Sequence, residues 1–121
     1  MTPNEYQELA ARTLDKEPSQ PLTPEETMII WNVVGLGGEA GEVCEYLKKG
    51  IFHRHGYDPD VVREELGDCL WYIAGLCTQM GFSLGDVMQG NIDKLVARYP
   101  GGFSIQDSIH RREYNTGGFD K

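Results

Sequence analysis

Apolar residues recur along this chain at the three- and four-residue spacing of amphipathic helices, and nowhere at the two-residue spacing of strands. Tyr6, Leu9, Ala10 and Leu14 give residues 2–14 one apolar face. A loop with Pro18 and Pro21 follows. Thr23-Pro24-Glu25-Glu26 then reads as a helix start, with Thr23 as cap, Pro24 in the first helical position and Glu26 closing a capping box. The apolar pattern runs from Met28 through Leu47 and predicts a helix that ends at Lys48-Lys49-Gly50. Residues 51–57 predict a loop, and Asp58-Pro59 a new cap. Val62, Leu66, Cys69, Leu70, Ile73, Leu76, Cys77 and Met80 form a broad stripe that stops at Gly81. Ser83-Leu84-Gly85-Asp86 opens another helix, which carries Val87, Met88, Ile92 and Leu95 and closes near Tyr99-Pro100-Gly101-Gly102. From Phe103 the chain turns polar. Ser104 to Arg112 is a candidate for one short helix, and the last residues are expected to be loose.

The expected fold is therefore all-α: a four-helix bundle protomer with a short N-terminal helix, its two longest helices antiparallel across a short loop. Residues 1–104 are expected to form the domain and residues 105–121 a tail. Gly35, Gly37, Gly38 and Gly41 fall inside the first long helix, where each costs about 1 kcal/mol relative to alanine. So many glycines predict close approach of another backbone, a kink, or a ligand lying on the helix.

Composition narrows the function. A chain of 121 residues suits one core, and a net charge of -8 argues against binding nucleic-acid polymers, which need a basic footprint. No apolar run is long enough to span a membrane, and the polar stretch from Met1 to Leu14 lacks a signal-peptide core, so a cytoplasmic location is expected. Cys44, Cys69 and Cys77 lie inside apolar helical patterns without metal-type spacing and are expected to be buried, reduced thiols. A protomer of this size leaves apolar surface to bury, which predicts a homodimer or homotetramer joined through the first helix and the tail.

Two acidic motifs carry candidate chemistry. Glu39-Ala40-Gly41-Glu42 and Glu65-Leu66-Gly67-Asp68 each set two carboxylates three residues apart, on one helical face. Leu36 and Val43 bracket one pair, and Leu66 and Leu70 the other, so the carboxylates are expected at a half-buried interface. Four like charges turned together need a cation. An all-oxygen donor set favours Mg2+, with Mn2+ as second choice, over iron or zinc. A di-iron bundle would need histidine three residues after glutamate, where Glu42 and Asp68 stand. On an isolated helix such a pair would ordinarily be a solvated face.

The runs Gly35-Leu36-Gly37-Gly38-Glu39-Ala40-Gly41-Glu42-Val43, Glu65-Leu66-Gly67-Asp68-Cys69-Leu70-Trp71-Tyr72, Asn91-Ile92-Asp93-Lys94-Leu95 and Arg98-Tyr99-Pro100, with the Tyr6-Gln7-Glu8-Leu9 opening, resemble the MazG-like nucleoside triphosphate pyrophosphohydrolases. The resemblance implies an all-α oligomer that uses Mg2+ to hydrolyse a nucleoside triphosphate between its α- and β-phosphates, releasing monophosphate and pyrophosphate. It implies Glu39, Glu42, Glu65 and Asp68 as metal ligands and catalytic carboxylates. It also implies Asn91, Lys94, Arg98 and Tyr99 as a phosphate-binding element.

Lys94 and Arg98 share a helical face, which suits a polyphosphate, although surface charge at a helix end is the plainer role. Tyr72, one turn past Asp68, is placed to meet the sugar or base or else to be a core aromatic; Trp31, two turns before Glu39, is a base-stacking wall or a core tryptophan. The fuller family pattern has glutamate where Gly38 stands, which leaves the general base open. Glu45 is rotated off the acidic pair. Lys48, Lys49, His53, Arg54 and His55 make a basic loop that is either a substrate lid or charge favouring the helix end. Other readings of the same residues are a phosphoribosyl-ATP-type pyrophosphohydrolase, a non-catalytic nucleotide or metal sensor, and a structural bundle.

Overall fold

The computed structural model describes residues 1–17 and 19–110; Pro18 and residues 111–121, including the expected helix end at Arg112 and loose terminus, lie outside them. The described residues form five helices and no strand: α1 (Pro3–Ala11), α2 (Pro24–Phe52), α3 (Pro59–Met80), α4 (Leu84–Arg98) and α5 (Ile105–His110). The caps explain the starts. Thr2 and Glu5, then Thr23 and Glu26, form capping boxes in which each side chain satisfies the other residue's backbone N–H. Asp58 accepts from the Asp60 amide at 2.9 Å, and Ser83 from that of Asp86 at 3.3 Å. Gly81, with φ 72, ends α3.

Two boundaries differ from the sequence reading. α1 stops at Ala11, where the Thr13 hydroxyl donates to the Ala10 carbonyl at 3.0 Å and tightens the chain into a turn. α2 runs past Gly50 to Phe52 because the following loop folds back to satisfy its last carbonyls. The His55 amide donates to the Lys49 carbonyl (3.3 Å) and that of Gly56 to Gly50 (3.1 Å). Arg54, with φ 60, takes the left-handed position expected of Gly50. Gly50 is buried, and a Cβ there would lie 2.8 Å from the Gly56 carbonyl oxygen.

α2 and α3 form the one helix pair that packs extensively among the described residues. They are antiparallel and in constant register. Asn32 lies over Gly75, Gly35 meets the ring of Tyr72, and Gly50 meets the chain entering α3. This register brings Glu39 level with Asp68 and Glu42 level with Glu65. Gly37, Gly38 and Gly41 differ from Gly35: a Cβ on any of them would meet nothing within 4 Å. The all-α expectation holds. Among the described residues α1, α4 and α5 make at most marginal helix contacts, so the packed unit is the α2–α3 pair. The apolar stripes told which faces need cover, not which chain covers them. Cys77 is the sole buried apolar side chain among the described residues, whereas Cys44 is exposed and Cys69 half-buried, so burial of all three thiols is not realised.

Candidate metal centre

The acidic motifs meet on the seam between α2 and α3. Glu39, Glu42 and Glu65 each offer a carboxylate oxygen, and these oxygens lie within 4.8 Å of one another. Glu39 and Glu65 are half-buried, and Glu42 is exposed. Withdrawal from water raises the Glu65 carboxyl above its ordinary 4.5, and the charges of Glu42, Glu39 and Asp68 push the same way. Asp68 is exposed and stands outside this triangle, although its charge reaches Glu65.

The other sequence candidates are more dispersed. Tyr72 packs against Gly35 and meets Trp71 edge-on with ring centroids 5.0 Å apart, so its ring belongs to the helix seam. Trp31 is 67 % exposed, so it is no core residue of the single chain. It lines an open groove of about 410 Å³ with Thr27, Ile30, Val34 and Gly35. On α4, Lys94 and Arg98 are half-buried while Met88, Ile92 and Val96 are exposed. The cations of α4 are thus less exposed than its apolar stripe. Neither cation makes an ion pair with the carboxylates among the described residues. Asn91 is exposed; Tyr99 caps α4 and lies 5.5 Å from the ring of Phe103.

The basic loop is partly self-neutralised. Lys48 and Lys49 both pair with Glu45 at 2.9 Å, and these hydrogen bonds pull its carboxyl down to about 2. Glu45 therefore faces the lysines, not the triangle. Three residues escaped the sequence reading. Asn32 is buried and donates to Gln79 at 2.9 Å; the Tyr46 hydroxyl accepts from the Asp58 amide at 2.9 Å. A polar Asn32 inside the run Met28–Val34 was the signal for the first pair.

The family model of the MazG nucleotide pyrophosphohydrolase domain matches residues 30–103, which include both acidic motifs and all of α4. The chain belongs to the MazG family. The chain is also similar to the "Gene 37 protein" of Mycobacterium phage L5, 39 % identical over 69 residues, a stretch covering 54 % of this chain and 60 % of that protein. The chain thus spans about three fifths of that relative's length. No solved structure shows a significant match.

The triangle fits a divalent ion by its own chemistry. Three carboxylates converge on one point, and Glu65 Oε2 is buried without a hydrogen-bond partner among the described residues. Such an atom is costly unless a cation or donor meets it.

Proposed function

We propose that this MazG domain is a Mg2+-dependent hydrolase of nucleoside and deoxynucleoside triphosphates, cleaving the α–β anhydride to give monophosphate and pyrophosphate. The observation that carries this reading is the Glu39–Glu42–Glu65 triangle with its unpartnered buried oxygen. Glu39, Glu42 and Glu65 would hold Mg2+, with Mn2+ as substitute, and Asp68 on the same face of α3 would join them. A bound divalent ion would supply charge neutralisation for the polyphosphate.

The chain's own groups supply the rest. Arg98 Nε is buried with no acceptor among the described residues, a donor suited to a phosphate oxygen. Lys94 lies one turn before Arg98 on the same helical face, with Asn91 and Tyr99 beside them. Trp31 offers an exposed ring for the base, and Tyr72 borders the groove through Gly35. Water adds to the α-phosphorus as the bond to the bridging oxygen breaks, and pyrophosphate leaves with that oxygen. We take residues 1–104 as the catalytic unit.

A homodimer or homotetramer accompanies this reading. Leu66 and Leu70 on α3, with Met88, Ile92 and Val96 on α4, are all at least half exposed and form the stripes to be covered. The first helix, with Tyr6 and Leu9 exposed, stays part of the expected interface beside them. No helix of the described residues is long and apolar enough to cross a membrane, and all three cysteines are free, as suits a cytoplasmic enzyme.

The test is a panel of nucleoside triphosphates with Mg2+, scored for monophosphate and pyrophosphate, beside Asp68→Asn and Glu65→Gln. Absence of pyrophosphate release from every substrate would overturn the reading.

A further inference from the structure

The α2–α3 hairpin is tied at both ends, and the carboxylate triangle lies between the ties. At the loop end, Tyr46 accepts from the Asp58 amide and Gly50 packs beneath Gly56. At the open end, Asn32 is 7 % exposed and donates through Nδ2 to Gln79 Oε1 at 2.9 Å. Its amide also lies over Gly75, where a Cβ would come 3.3 Å from Nδ2. Asn32 interrupts an otherwise apolar stretch, Met28-Ile29-Ile30-Trp31-Asn32-Val33-Val34. We propose that the Asn32–Gln79 amide pair, buried on its Asn32 side, locks the register of α2 against α3 and so holds Glu39, Glu42 and Glu65 together, making Asn32 a positioning residue for metal binding.

Apolar contacts alone discriminate poorly between registers. A slip of one turn exchanges one aliphatic side chain for another at similar burial. A buried amide discriminates, because every register but one leaves it without a partner. Single buried polar residues fix the register of paired helices in this way, at some expense of stability. Asn32 precedes Glu39 by seven residues and Gly75 follows Asp68 by seven, about 10 Å along each helix. A one-turn slip would move α3 by about 5.4 Å, further than the 4.8 Å within which the three oxygens now meet. The lock bears on chemistry only through the carboxylate reading above, on which it rests.

The experiment compares the full chain with Asn32→Leu and with the exchange Asn32→Gln/Gln79→Asn. Mn2+ alone is titrated into each by calorimetry, thermal melts are recorded without metal, and NOEs between the Tyr72 ring and the Gly35 α-protons report the register. For Asn32→Leu we expect an unchanged or higher Tm, Mn2+ affinity weaker by roughly tenfold, and weakened Tyr72–Gly35 NOEs. The exchange variant should restore affinity and NOEs. Native affinity and native NOEs in Asn32→Leu would overturn the proposal. So would a drop in Tm and affinity that the exchange does not rescue. Should Asn32→Leu fail to fold, Gln79→Leu on the exposed side of the pair carries the same test. A wild-type chain that binds no Mn2+ would sink the carboxylate reading instead, while the NOE comparison still decides the register.

Discussion

The ring of Tyr72 lies directly over Gly35: a Cβ on Gly35 would fall 2.8 Å from Cδ1 and closer still to Cε1 and Cζ. Gly35→Ala should therefore destabilise the chain by about 1–3 kcal/mol through overpacking, despite the helix propensity gained. Gly90→Ala on α4, where a Cβ meets nothing within 4 Å, should instead be neutral or stabilising by up to about 1 kcal/mol. Urea denaturation of both variants reads the difference. Equal effects would mean that the close approach is not a constraint.

Glu65→Gln removes one corner of the triangle and relieves like-charge repulsion. Without metal its stability should match or exceed that of the parent. Pyrophosphate release should fall by about 100-fold or more. Saturating Mg2+ at about 100 times Kd should stabilise the parent by about 2.7 kcal/mol and the variant by much less. Differential scanning calorimetry with and without Mg2+ measures this.

The raised Glu65 carboxyl fixes the sign of a pH effect. In the folded chain the proton is held more tightly than in the unfolded one. The associated stability is complete below the ordinary value of 4.5 and is lost as pH rises through the raised folded value. Metal-free protein should lose stability over that window, relative to Glu65→Gln. Glu45 has the opposite sign: its support is present above 4.5 and is lost as pH falls toward about 2. Glu45 is well exposed, so its effect should be small. Denaturation curves in EDTA between pH 4 and 7, taken as parent minus Glu65→Gln, isolate the first group.

Leu70→Glu or Ile92→Glu places a charge on an apolar stripe that this chain leaves uncovered. Either substitution should shift the protein toward monomer and lower its Tm. Light scattering after size exclusion reads the mass; an unchanged mass in both variants would move the interface elsewhere.

Removing the Tyr46 hydroxyl tests the loop end of the hairpin. Tyr46→Phe deprives the Asp58 amide of its acceptor and should cost about 0.5–1.5 kcal/mol, with the helices retained by circular dichroism.

Much of the helical plan was legible because it is local. Thr23 with Glu26, Asp58 before Pro59, and Ser83 with Asp86 each satisfy backbone groups within four residues of themselves, so their pattern needs no tertiary knowledge. The three-residue spacing of Glu39 and Glu42 likewise gave their common face, and the helix pairing brought Glu65 to them. The end of α2 was not legible, because Gly50 is set by a loop six residues on that returns to cover it. The placing of Tyr72 depended on a glycine 37 positions away in the sequence, and that of Asn32 on Gln79, 47 positions away. Nor could periodicity alone say that Met88, Ile92 and Val96 face outward in the single chain, since a stripe looks the same whichever molecule covers it.

With Cys77 its sole buried apolar side chain among the described residues, this chain keeps almost no interior to itself. In the proposed oligomer its cohesion would come from neighbours, and protein concentration would become a variable of the folded state alongside temperature and pH. Dilution would act on such a protein much as urea does.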